Sequence, residues 1–293
     1  MGEKKFFSWS ENFVEPEKAK VIVFGVPLGK NSAKMIEGIR KASWFIETFD
    51  IAKGKDLLEL KISDIGNIIL TSPDDIFIQT KKILEQRKIP LILGKSHLLT
   101  FYALKAFENV KLVSFDAHAD IKDFYMDEKI AESIEPLNLK EPEKYNCTTW
   151  LRRFCELGNE KNVCLIGVRS CDFEDYKYIK EKGILYFTPA QIKKDEYTKE
   201  EIKKKIREFV KDSNVYISID IDVFDPSLAP AVEHPEPFGL NYQEFLELIR
   251  EVCKGNVVGL DLVEIEYVPE KIREVTEFLG IKVILEVLNL LSK

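Results

Sequence analysis

The chain is 293 residues long, and 43 Lys and Arg against 50 Asp and Glu leave a net charge of −7, which excludes a basic nucleic-acid footprint. A hydrophobic content of 45% fits a globular chain with a sizeable core rather than a disordered one. No apolar run reaches the ~20 residues of a membrane span, residues 1–9 lack the apolar stretch of a secretion signal, and five cysteines without a C-x-x-C pair fit a reducing cytoplasm.

Short apolar runs alternate with helix-like segments. Strands are predicted at 20–26, 67–70, 90–93, 111–115, 162–168, 184–187, 214–219 and 256–262. Helices are predicted between them at 32–48, 73–86, 97–108, 147–156, 173–182, 199–211 and 242–253, with a last apolar-striped helix at 270–291. Ser72 before Pro73, and Asn241, are the expected N-caps. Most strands are continuously apolar, as expected for strands covered on both faces. The fold class is therefore a three-layer αβα architecture with a mainly parallel, roughly eight-stranded sheet. Without a repeat or a Gly/Ser/Pro-rich linker, residues 1–293 read as one domain.

Chemistry concentrates where strands end. Asp116-Ala117-His118-Ala119-Asp120 closes the 111–115 run. In an extended backbone positions i, i+2 and i+4 face one side, so the three polar groups would converge. Two carboxylates and an imidazole suit a divalent ion such as Mn²⁺, although a strand end with capping aspartates fits the same spacing. Asp220-Ile221-Asp222 repeats the spacing after another apolar run, and His97 follows a third through Gly94-Lys95-Ser96. Together these stretches offer six ligands, enough for two ions, and use two of the three histidines in the chain. His97, Asp116, Asp220 and Asp222 all lie just past the C-terminal ends of predicted strands, the edge where open parallel sheets bind ligands. Glu264, after Gly259-Leu260-Asp261-Leu262-Val263, falls on the same edge.

These motifs resemble those of the ureohydrolase family (arginase, agmatinase, formimidoylglutamase), and most of all its short archaeal agmatinases. The resemblance also covers Phe24-Gly25-Val26-Pro27-Leu28, Gly167-Val168-Arg169-Ser170 and the run from Ser218 to Pro230. It implies the arginase-like fold and two Mn²⁺ ions. One ion would take His97, Asp116, Asp120 and Asp220, and the other Asp116, His118, Asp220 and Asp222, with Asp116 and Asp220 bridging. It further implies that a bridging hydroxide attacks a guanidinium carbon to give urea and an amine. Asp120 would assist proton transfer, and Glu264 would pair with the guanidinium. A small cationic guanidino substrate, a homo-oligomer (trimer or hexamer), a cytoplasmic location and no nucleic-acid or membrane partner complete that expectation.

The departures carry information too. Gly94-Lys95-Ser96-His97-Leu98 stands where the family has an acid and a serine beside the histidine ligand. Cys147 aligns with a histidine to which the family assigns proton shuttling; a thiol is a poorer relay at neutral pH, and a small buried residue is the other reading. His234, in the loop after Ala229-Pro230, is a replacement relay, a contact to a different substrate, or an exposed loop histidine. The long connection 121–146 carries Asp123, Asp127, Glu128, Glu132, Glu135, Glu141 and Glu143, an acidic lid that would favour a cationic tail or else a solvated loop. Agmatine or aminopropylagmatine is the expected substrate. The alternatives are another guanidino compound, or a catalytically degenerate metal-binding homologue with a regulatory role.

Overall fold

The computed structural model describes residues 5–292. Strands β1 (Val21–Val26), β4 (Ile62–Asn67), β5 (Ile89–Gly94), β6 (Val110–Phe115), β7 (Val163–Ile166), β8 (Leu185–Phe187), β9 (Asn214–Asp220) and β10 (Asn256–Val263) form one sheet, while β2 (Phe49–Asp50) and β3 (Lys55–Asp56) make a small antiparallel hairpin. The eight-stranded order is β4-β1-β5-β10-β9-β6-β7-β8, and every pairing in it is parallel. The αβα prediction therefore holds.

Side chains alternate between two cores, as a two-faced sheet requires. Val21 and Val23 face a core completed by α1 (Ser32–Ala42), α8 (Glu196–Val210), α9 (Tyr242–Val252) and α10 (Glu270–Leu291). Ile22, Phe24 and Val26 face the other, built with α2 (Asp74–Glu85), α3 (Leu98–Leu104), α5 (Trp150–Phe154) and α6 (Phe173–Lys182). Two further short helices, α4 (Glu128–Ser133) and α7 (Pro189–Ile192), lie in connections. No described helix is long and apolar enough to cross a membrane.

Three expectations change. The edge strand is Ile62–Asn67 rather than 67–70, and Ile69 is exposed. Its polar Asp64 belongs inside because Arg40 of α1 holds it with two bonds, Nε to Oδ2 at 2.7 Å and Nη2 to Oδ1 at 3.0 Å, while the Phe6 amide donates to Oδ2. The segments 32–48, 97–108 and 147–156 contract to α1, α3 and α5. Finally, Ser72 does not cap α2; the Asp75 carboxylate instead accepts the Thr71 and Ser72 amides. Asn241 does cap α9, in a reciprocal box with Glu244.

Candidate metal centre and cavity

Four strands that are neighbours in the sheet, β5, β10, β9 and β6, deliver the candidate site residues at one edge. The loop after β5 carries His97, β10 ends at Val263 before Glu264, β9 ends on Asp220, and β6 runs into Asp116. His97 is fully buried, its ring lying against Trp150 at a centroid distance of 4.4 Å.

The ring is oriented from behind. Its Nε2 lies 2.8 Å from Ser218 Oγ, and Ser218 donates its own proton to Asp261 Oδ1 at 2.7 Å. Thr100 and Tyr216 donate to the other Asp261 oxygen, each at 2.8 Å. Ser218 is committed as a donor, so it accepts from Nε2–H, and Nδ1 becomes the nitrogen left for another role. That Nδ1 is buried and makes no hydrogen bond, yet Oδ2 of Asp116, Asp120 and Asp220 lie 3.2, 3.2 and 3.3 Å away. Burial alone would lower the His97 pKa, but the three carboxylates raise it well above its usual range. Burial and repulsion from Asp120 and Asp222 likewise push Asp116 up to about 7, and burial with Asp222 and Asp116 raises Asp220. An anionic cage around one imidazole nitrogen fits a divalent cation with nitrogen and oxygen ligands. We expect Asp261→Asn to weaken metal affinity by roughly 10–100-fold with the fold intact, as read by chelator competition and circular dichroism.

A second group forms beside the first. His118 Nδ1 lies 2.8 Å from Asp222 Oδ2 and 3.9 Å from Asp116 Oδ1. Although burial opposes it, Asp222 raises His118 to about 10. Two ligand sets that could hold a metal ion result: His97, Asp116 and Asp220, and Asp116, His118 and Asp222. Asp116 belongs to both, whereas Asp220 groups with His97 and accepts the Asp222 amide at 3.0 Å. The backbone is not extended through the whole motif, because Asp120 has φ +49°. Asp120 still meets His97, held there by Trp150 Nε1, which donates to its Oδ2 at 2.9 Å.

Glu264 also takes a left-handed turn, with φ +62°. Its amide donates to the Lys95 carbonyl at 2.8 Å, and its Oε1 accepts the His97 amide at 2.8 Å. Burial pushes its carboxyl up to about 8, against the pull of His97. Together with His118, Asp120, Asp220 and Asp222 it lines a cavity of about 230 Å³.

Cys147 and His234 both reach this cavity. Cys147 sits half-buried on its wall, Sγ donating to Ser133 Oγ at 3.5 Å; burial, Glu264 and Asp120 hold the thiol well above its usual range. His234 is exposed at the rim, its ring edge-on to His118 at 6.3 Å. Its loop is fixed by Arg169, which donates to the Asp222, Glu236 and Pro237 carbonyls at 2.8, 2.7 and 3.1 Å.

The acidic-lid expectation is corrected: none of the seven carboxylates of 121–146 lines the cavity. Asp127 caps α4, Asp123 pairs with Arg153, Glu132 with Lys30 and Glu141 with Lys144. The outer wall is acidic for another reason. Asp172 and Asp175 reach it from the start of α6, bridged by Lys122, and Glu233 reaches it from the loop before His234. Sequence reasoning missed these residues and the Trp150 and Asp261 contacts. The available signal was the end of β7, a fifth strand terminus on the same edge.

Comparison with known proteins agrees with this geometry. The Arginase family model matches residues 19–289. The N(1)-aminopropylagmatine ureohydrolase of Thermococcus kodakarensis is 30% identical over 295 residues, covering 96% of this chain and 93% of that protein. An agmatinase of Halalkalibacterium halodurans is 30% identical over 267 residues, covering 85% and 84%. The crystal structure of the agmatine ureohydrolase of Thermoplasma volcanium superposes with a TM-score of 0.80 at 29% identity, covering all of this chain and 95% of that one. With a metal-dependent family matched along almost the whole chain and candidate ligand sets at the expected sheet edge, the protein belongs to the arginase family and is a hydrolase of the ureohydrolase type.

Proposed function

We propose that the chain hydrolyses the guanidino C–N bond of agmatine or aminopropylagmatine, adding water to give urea and an amine, with two Mn²⁺ ions held by His97, Asp116, Asp120, Asp220, His118 and Asp222. The observation that carries this reading is the convergence of three carboxylates on His97 Nδ1, at 3.2–3.3 Å, beside a cavity walled by Glu264. Bound ions supply Lewis acidity and an activated water near neutral pH. The side chains do the rest. Glu264 accepts guanidinium N–H groups and fixes the substrate's orientation. Asp120, steadied by Trp150, accepts the water's proton and passes it toward the leaving nitrogen. Asp172, Asp175 and Glu233 on the outer wall support a cationic tail, as do relatives that act on agmatine and its aminopropyl derivative.

His234 carries protons between cavity and solvent, and Cys147 stays protonated as part of the wall. His234→Ala is expected to lower turnover at saturating substrate by roughly 10-fold or more; unchanged turnover would return His234 to an ordinary exposed residue. We also read residues 1–293 as one domain, supported by the single eight-stranded sheet, and the chain as a cytoplasmic homo-oligomer, a setting that suits the buried Cys155 and Cys164, which form no disulfide. The deciding experiment is urea release after Mn²⁺ loading, across agmatine, aminopropylagmatine, arginine, guanidinobutyrate and guanidinopropionate. Release from an amine-tailed substrate that disappears in Asp222→Ala supports the proposal. Silence across the panel with ions bound refutes it.

A further inference from the structure

Lys95 is a buried lysine directly behind the cavity, with its side chain 8% exposed. Its ammonium pairs with Glu266 Oε2 at 2.8 Å and lies 3.4 Å from the Lys30 carbonyl. Its backbone carbonyl accepts the Glu264 amide, and two residues on, the His97 amide donates to Glu264 Oε1. The loop after β5 and the turn after β10 are therefore joined by three polar contacts, one of them between charged groups. Glu264 sits in the middle of that joint at φ +62°, a conformation a glutamate keeps only when its surroundings over-determine it.

Through these partners the same lysine is linked to both flanks of the cavity. The Gly29 and Lys30 amides donate to the Glu135 and Glu132 carbonyls at 2.6 and 2.9 Å, which ties Lys30 to the segment containing α4. The Glu266 amide donates to the Ala231 carbonyl at 2.9 Å, at the base of the loop carrying Glu233 and His234. A neutral side chain of similar length would fill the volume but leave the Glu266 carboxylate partly buried beside Glu264 without its cation.

We propose that Lys95 is a positioning residue: its ion pair with Glu266 clamps the turn after β10 so that the Glu264 carboxylate stays aimed into the cavity. The inference rests on reading Glu264 as the guanidinium-facing carboxylate. It also explains why a lysine stands beside a candidate metal ligand in a site otherwise crowded with acids.

Two measurements test it on the full-length, metal-loaded protein. In Lys95→Met, and in Glu266→Gln as the milder variant, amide hydrogen exchange over 94–98 and 263–267 should quicken by about tenfold or more while α8 is unchanged. With agmatine, KM should rise about tenfold and kcat stay within about threefold, at unchanged metal content. The exchanged pair, Lys95→Glu with Glu266→Lys, should recover most of both effects. Unchanged exchange at 263–267 in both single variants overturns the clamp, as does a fall in kcat at constant KM. A quickened exchange in a protein that releases no urea from any guanidino compound upholds the clamp and overturns the function assigned to Glu264.

Discussion

Asp116→Ala is expected to abolish turnover, by at least ~10³-fold, and to lose metal from both ligand sets at once. Asp116 is the residue common to the two sets, with Oδ2 3.2 Å from His97 Nδ1 and Oδ1 3.9 Å from His118 Nδ1. Truncating it opens one shared corner, whereas Asp222→Ala removes a ligand from the His118 set alone. Metal analysis of the two variants side by side separates the cases. Near-complete loss in Asp116→Ala against partial loss in Asp222→Ala is the expected result; equal stoichiometry in the two would mean that the sets are not joined through Asp116.

Glu264→Gln should leave bound metal unchanged and lower kcat/KM by roughly 10²–10³-fold. The amide can still accept the His97 N–H through its carbonyl, so the loop geometry survives. What disappears is the carboxylate charge that a neighbouring guanidinium cation would draw out against the effect of burial, and with it the strength of a bidentate contact. The loss should be much smaller for an uncharged urea-like competitor, because binding of that molecule draws little on the carboxylate. Equal affinity of wild type and variant for agmatine would place the guanidinium elsewhere in the cavity.

Strand-end candidate ligands were legible because two simple signals agree. Apolar runs locate β5, β6, β9 and β10, and a candidate site residue stands at the end of each or within three residues of it. The misplaced edge strand shows where that logic stops. Residues 68–70 are more apolar than Ser63-Asp64-Ile65-Gly66, but Arg40, distant in sequence, makes Asp64 acceptable inside. No local pattern announces a partner 24 residues away. The acidic segment failed differently. Its charge was plain, but the carboxylates point elsewhere for local reasons: Asp127 is taken up in starting α4 through the Ile130 amide, and Asp123 and Glu141 by Arg153 and Lys144. Asp172 and Asp175 were hidden for the converse reason: each looks like ordinary helix-start chemistry, and only the position of β7 in the sheet brings them to the cavity.

Because the candidate ligands hang from three strands in the middle of the sheet, β5, β9 and β6, an ion bound there would also fasten the fold. Ligand held at a hundred times its Kd adds about 2.7 kcal/mol to the native state. The same carboxylates repel one another across β5, β6 and β9 when their charge is not balanced. Resistance to heat and readiness for catalysis are then set by one variable, the supply of metal in the surroundings. A cell short of that metal would hold a less durable protein as well as a less active one.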